Sequence, residues 1–192
     1  MSDIKKVFIV HCWGGSSNSN WYPWIKVELE KRNFQVNILK MPDSDNPKIE
    51  KWVDFLENTI KLEDLNEDTY FIGHSIGCQA IMRYLSNLEL GASIGGILFV
   101  AGWFDLDNLE TPEEKRVAKS WIQTPIDFDK IIEKTNNINV LISKDEPYGL
   151  VDENSLLFKE KLKAEVFMTE DYGHFVDQEM PVILDKFLEM VK

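Results

Sequence analysis

Gly73-His74-Ser75-Ile76-Gly77 reads G-x-S-x-G. It follows the apolar run Asp68-Thr69-Tyr70-Phe71-Ile72 and precedes Cys78-Gln79-Ala80-Ile81-Met82-Arg83-Tyr84-Leu85, a stretch with helical spacing. Strand, sharp turn, helix is the setting in which this motif forms a nucleophile elbow. Such a turn crowds the backbone against the neighbouring strand and helix, and Gly73 and Gly77 remove the side chains that would clash. Ser75 then stands at a helix N-terminus, where free N–H groups favour developing negative charge. A nucleophilic serine is the expectation. A glycine-rich structural turn is the plain alternative.

Short apolar runs alternate with amphipathic stretches on both sides of this turn. Residues 6–10, 35–39, 70–72, 96–100, 138–142 and 165–168 read as strands. Helical spacing recurs over residues 24–30. It recurs again at Ile49, Trp52, Val53, Leu56 and Ile60, with Pro47 near the first turn, and from about Pro181 through Ile183, Leu184, Phe187, Leu188 and Val191. Strands alternating with helices mean a parallel sheet covered on both faces. The longest insertion, residues 102–137, contains Thr111-Pro112-Glu113-Glu114: an N-cap, a proline at the first helical position and a capping-box glutamate. One or two short helices are expected there.

The 192 residues fit one domain over 1–192, and a hydrophobic content of 44 % is ample for one core. Net charge is −12 and the sequence pI is about 4.7. A surface this acidic repels phosphate backbones and anionic lipid, which argues against nucleic-acid and membrane partners. Cys12 and Cys78 form no disulfide framework. The N-terminal apolar run, residues 7–10, is too short for a signal peptide or a membrane span, so a cytoplasmic location is expected. Gly14-Gly15 lacks any accompanying Gly-x-Gly-x-x-Gly or Walker lysine, so no nucleotide cofactor is expected. The histidines stand far apart, none in a His-Glu-x-x-His pair, and the cysteines lack zinc spacing, so no metal is expected.

A serine hydroxyl needs a base, and the base needs an orienting acid. His74 lies inside the elbow and should point away from Ser75. His11 ends the first strand and borders the same sheet edge, but it precedes the serine in the chain. His174 follows the last strand in Asp171-Tyr172-Gly173-His174-Phe175. Hydrolases of this type run Ser, then Asp or Glu, then His along the chain, and only His174 fits that order. The acid should follow the fifth strand, where Ser143-Lys144-Asp145-Glu146-Pro147 offers Asp145 and Glu146. Adjacent loop residues point differently, and chemistry alone leaves both open. An oxyanion hole should use the backbone N–H of Ile76 and one from the loop His11-Cys12-Trp13-Gly14-Gly15, with Trp13 the favoured donor.

These residues make the chain resemble the small serine hydrolases typified by retinoblastoma-binding protein nine, an α/β-hydrolase family. Nearly the whole chain is covered. The marks are the loop from His11 to Gly15, Trp21-Tyr22-Pro23-Trp24, Met41-Pro42, the elbow, Met82-Arg83-Tyr84, Asp145-Glu146-Pro147-Tyr148 and Gly173-His174-Phe175. The resemblance implies Ser75 as nucleophile and His174 as base. The family's acid is an Asp immediately before Pro. Glu146 holds that place here and Asp145 stands one step earlier, so the resemblance favours Glu146. Cys12 stands where many hydrolases have Gly, and its side chain should narrow the acyl site. Neither cysteine lies in a Leu-x-Cys-x-Glu segment, so retinoblastoma protein is not implied as a partner.

The expected fold is a minimal α/β-hydrolase, six parallel strands in the order 2-1-3-4-5-6 with no large lid. The expected activity is cleavage of a small ester, or of an amide, through an acyl-enzyme on Ser75. Trp13, Trp103, Phe104, Tyr148 and Phe175 fall near strand ends and predict an apolar pocket, with His11 and Cys12 also expected to line it, although each aromatic suits a core equally well. Residues 102–137 begin with Trp103-Phe104 and continue through Asp105, Asp107, Glu110, Glu113 and Glu114. Such a segment borders a pocket without covering a long acyl channel. Two rival readings share the fold: a non-catalytic interaction protein on a hydrolase shell, and an acyltransferase or haloperoxidase-like enzyme.

Overall fold

The computed structural model describes residues 4–89 and 91–191. Among them, β1 (Lys6–Val10), β2 (Gln35–Leu39), β3 (Thr69–His74), β4 (Gly96–Val100), β5 (Ile138–Ser143) and β6 (Glu165–Thr169) form one sheet in the order β2-β1-β3-β4-β5-β6. Every neighbouring pair is parallel. The connections carry α1 (Tyr22–Glu30), α2 (Ile49–Thr59), α3 (Ile76–Asn87), α4 (Pro112–Gln123), α5 (Phe128–Ile132), α6 (Val151–Leu162) and, after β6, α7 (Pro181–Met190).

Alternation along the strands builds two cores. Phe8 and Val10 of β1 enter one, while Val7 and Ile9 enter the other. Ile97 and Phe99 of β4 part from Leu98 and Val100 in the same way. The inner strands β1, β3, β4 and β5 are buried on both faces and read as near-continuous apolar runs, whereas the edge strands β2 and β6 carry exposed Gln35 and Glu165. Helices α2 to α6 cover the first face through Trp52, Tyr84, Trp121, Ile131 and Phe158. Helices α1 and α7 cover the second through Tyr22, Ile25 and Phe187. Full burial of one residue such as Phe187 stabilises by about 1.5–3 kcal/mol.

The insertion after β4 holds α4 and α5. Thr111 Oγ1 accepts from Glu114 N–H at 3.1 Å, and Glu114 Oε2 accepts from Thr111 N–H at 2.8 Å. Arg83 of α3 donates from Nη2 to the carbonyls of Trp121 and Thr124, at 2.5 and 2.8 Å. That places a cation at the negative end of α4. Pro47 lies outside α2, ahead of the N-cap Lys48. Sequence periodicity gives no sign of α6. Its buried face mixes Asn154 and Ser155 with Phe158 and Leu162, while Leu156 is 55 % exposed.

Strand order reverses between β1 and β3. In open parallel sheets this reversal opens a crevice at the strands' C-terminal ends. Among the described residues, no helix is long and apolar enough to cross a membrane.

Candidate active site

Ser75 sits between the end of β3 and the start of α3 with φ 55° and ψ −120°. A non-glycine residue there costs of order 1–3 kcal/mol and persists only where its surroundings impose it. Its N–H donates to the Val100 carbonyl and its own carbonyl accepts from Cys78 N–H, both at 2.9 Å. The flanking glycines permit the turn. A Cβ on Gly73 would stand 2.9 Å from the backbone of Cys78, and one on Gly77 only 2.3 Å from the Val10 carbonyl oxygen. Glycine at position 77 thus lets the start of α3 abut the end of β1.

This contact brings the first turn of α3 beside the loop after β1. Ile76 opens the helix, so its N–H has no acceptor in the preceding turn. In the loop, Cys12 N–H donates to Tyr22 Oη at 3.1 Å. Gly14 N–H donates to Ser44 O at 2.8 Å, and Gly15 N–H to Cys12 O at 3.1 Å. Trp13 supplies the N–H of residues 12–15 that has no protein acceptor among the described residues.

His174 lies in the loop after β6. Its Nδ1 is 2.8 Å from Glu146 Oε1, with the two side chains 14 % and 9 % exposed. A carboxylate only accepts, so Nδ1 carries the hydrogen, and in the neutral imidazole Nε2 keeps its lone pair. The Tyr148 ring meets the imidazole edge-on, centroids 4.9 Å apart. Asp145 turns elsewhere. Its Oδ1 accepts from the Ser143 hydroxyl and, at 2.9 Å, from Gly173 N–H. These bonds, the hydroxyl's first, hold its carboxyl below the usual range. The adjacent carboxylates thus serve one loop differently: Glu146 meets the ring of His174, and Asp145 meets the backbone before it.

Ser75, Ile76, Trp13, Cys12, Tyr148 and His174 line a common cleft of about 580 Å³, together with Trp103. Trp103 Nε1 donates to Ser75 Oγ at 3.4 Å. No hydrogen bond joins Ser75 Oγ to His174 among the described residues. Leu106, Leu109 and Ala118 supply an apolar wall, Asp45, Glu113 and Glu114 an acidic rim, and among the described residues no Lys or Arg lines the cleft. Among the described residues, no group of three His, Cys, Asp or Glu is placed to hold a metal ion.

Three residues expected in the pocket lie outside it. His11 is fully buried. Its Nδ1–H donates to Cys12 O at 2.8 Å and its Nε2 accepts from Met41 N–H at 3.1 Å, so it ties the ends of β1 and β2 together. Phe104 turns inward against Phe128 and Phe158, with centroids 5.5 and 4.5 Å away. Phe175 is fully buried in the core beneath α1 and α7, stacked on Tyr172. Alternation sets the facing of side chains only within a strand, so proximity to the sheet edge does not place a loop side chain in the crevice. Asn154 belongs to no motif of the sequence. Its Oδ1 accepts from Phe104 and Asp105 N–H at 2.7 and 3.1 Å and its Nδ2 donates to Asp105 O at 2.9 Å, fixing the turn that carries Trp103. Only a polar residue on the buried face of a helix would have signalled it.

Parallel strands that reverse order at β1, and a serine raised on the turn after β3, place the chain among the α/β-hydrolases. Within them it belongs to the serine hydrolase family, whose model matches residues 7–180. It is similar to YdeN of Bacillus subtilis, 32 % identical over 189 residues that cover 94 % of this chain and 93 % of that one. Serine hydrolase RBBP9 of Rattus norvegicus is 29 % identical over 180 residues, covering 93 % and 90 % of the two chains. The crystal structure of the B. subtilis ydeN gene product matches with a TM-score of 0.85 over 97 % of this chain and 98 % of that one. Est1E from Butyrivibrio proteoclasticus shares the fold at a TM-score of 0.73 and 12 % identity, over 100 % and 90 % of the chains.

Proposed function

We propose that this serine hydrolase cleaves small neutral or cationic esters through an acyl-enzyme on Ser75. The observation that carries the reading is the 2.8 Å Glu146–His174 contact on the cleft that holds Ser75. In this reading His174 Nε2 takes the Ser75 hydroxyl proton as Oγ attacks the ester carbonyl carbon. The N–H groups of Ile76 and Trp13 stabilise the oxyanion, and Glu146 stabilises the imidazolium. Collapse breaks the bond to the leaving alkoxide, which takes the proton from Nε2. Water, deprotonated by the same nitrogen, then frees the acid and restores Ser75. Trp103 Nε1–H occupies one lone pair of Ser75 Oγ. The hydroxyl hydrogen stays free to turn to His174 once substrate closes the gap, as catalytic bonds often tighten only then.

Fluorophosphonate labelling tests the reading. The adduct should map to the peptide containing Ser75, and Ser75→Ala should abolish it and lower kcat on nitrophenyl acetate by about 10⁴-fold or more. Labelling at Ser16 or Ser17 with Ser75 untouched would overturn the assignment.

A further inference from the structure

The loop that carries His174 has a demanding backbone. Asp171, Gly173 and Phe175 have φ of 53°, 51° and 54°. For a bulky residue such as Phe175 this is a conformation the chain does not choose unaided. Polar side chains from outside the loop hold four consecutive residues of it. Ser143 Oγ accepts from Tyr172 N–H at 3.0 Å and Asp145 Oδ1 from Gly173 N–H at 2.9 Å. His74 Nε2 donates to the His174 carbonyl at 2.8 Å, and Trp21 Nε1 to the Phe175 carbonyl at 2.9 Å.

His74 stands apart in this set because it immediately precedes the serine. It is fully buried, its ring 5.2 Å from that of His174. A carbonyl only accepts, so Nε2 carries the hydrogen. Nδ1 is then an acceptor, and Tyr22 Oη donates to it at 2.6 Å. Tyr22 Oη accepts in turn from Cys12 N–H at 3.1 Å and Asn20 Nδ2 at 3.4 Å. One hydrogen-bonded chain therefore runs from the loop after β1, through the elbow, to the loop after β6. Burial first, and the His174 ring second, push the His74 pKa down to about 3. A protonated ring would offer two donors and lose the bond from Tyr22, so the chain requires a neutral imidazole.

We infer that His74 is a positioning residue: its Nε2–H fixes where the His174 backbone stands, and through Tyr22 it occupies Cys12 N–H and leaves Trp13 N–H as the free donor of its turn. The inference rests on the reading of Ser75 and His174 as nucleophile and base. Misplacement of a reacting group by 1 Å costs about 10²-fold, and His74 governs two such groups from a site out of reach of substrate.

Kinetics on nitrophenyl acetate and fluorophosphonate labelling rates test this in the full chain with His74→Phe, His74→Gln and Tyr22→Phe. Loss of both polar ring atoms in His74→Phe should lower kcat by about 10²-fold with KM little changed. Tyr22→Phe should lower kcat in the same KM-sparing way, by less. His74→Gln keeps an N–H donor and an oxygen acceptor and should recover most of the rate. Long-range ¹H–¹⁵N spectra should show His74 as the neutral Nε2–H form from pH 5 to 8. Wild-type kcat in His74→Phe, no rescue by Gln, or a His74 that titrates near the ordinary histidine value would each overturn the inference. If His74→Phe does not fold, Tyr22→Phe and the spectra decide. A wild-type protein that does not label at Ser75 sinks the hydrolase mechanism and this inference with it. Wild-type labelling matched by the variants sinks this inference alone.

Discussion

Glu146 meets His174 through a single oxygen: Oε1 lies 2.8 Å from Nδ1, while Oε2 is buried with no partner among the described residues. The carboxylate's hydrogen bonding is thus concentrated on the imidazole and, at 3.4 Å, on Tyr148 N–H. Glu146→Gln should lower kcat by about 10³–10⁴-fold, because the amide favours the wrong tautomer and leaves the imidazolium unpaired. Asp145→Asn keeps an oxygen for Ser143 and Gly173, so its loss of kcat should be far smaller. Steady-state kinetics of the pair check this, and the reverse ranking would move the role to Asp145.

Stability should fall as pH drops below neutrality. In the unfolded chain His74 and His11 titrate near 6.5. In the native state burial lowers both, His74 to about 3. Between about 3 and 6.5 the unfolded chain binds protons that the native state refuses, so the stability present above 6.5 is lost on acidification. A histidine shifted this far contributes about 1.4 kcal/mol per pH unit well below 6.5. The urea midpoint should decline from pH 7 to pH 5, a window above the carboxylate range. His74→Gln should flatten the decline.

Gly77→Ala should be severe. Its Cβ would stand 2.3 Å from a carbonyl oxygen of β1, where no flexible side chain exists to move aside. A loss of at least about 1–3 kcal/mol is expected from overpacking. Activity should fall further than stability, because the shift moves Ile76 N–H. Urea melts alongside single-turnover rates test both parts.

Substrate length and charge should follow the cleft. Its wall of Leu106, Leu109 and Ala118 and its rim of Asp45, Glu113 and Glu114 border an open space without enclosing a channel. For nitrophenyl esters, kcat/KM should fall beyond about six to eight acyl carbons in so shallow a pocket. Anionic leaving groups should fare worse than neutral or cationic ones, and salt should narrow the gap. Rates that climb toward palmitate would mean that α4 works as a lipase lid.

The strands and the elbow were legible in the sequence for a physical reason. Burial of the inner strands on both faces leaves near-continuous apolar runs, and a crowded turn demands Gly73 and Gly77. Chain order singled out His174. The choice between Asp145 and Glu146 was not legible from residue chemistry, because it depends on which way two neighbours in one turn face. The positions of His11, Phe104 and Phe175 were hidden for a similar reason, since nearness to a strand end says nothing about the face taken. Helix α6 left no clear period because Asn154 and Ser155 occupy its inner side. Tyr22 and His74 were visible as letters of two motifs, but their bond spans 52 positions and only the fold brings them together.

The capping bonds of α4 close on themselves, Thr111 against Glu114, whereas residues 172–175 are held by four side chains from elsewhere in the molecule. Change therefore has unequal consequences in the two places. A substitution beneath the loop should displace His174. On α4, Glu113, Glu114 and Ala118 border the cleft, whereas Trp121 and the bonds from Arg83 anchor the helix to the core. Selection for a new substrate can act on the cleft-facing Leu106, Leu109, Glu113, Glu114 and Ala118 while Ser75, Glu146 and His174 are inherited unchanged, and exchanging those five side chains is the direct way to redirect this hydrolase.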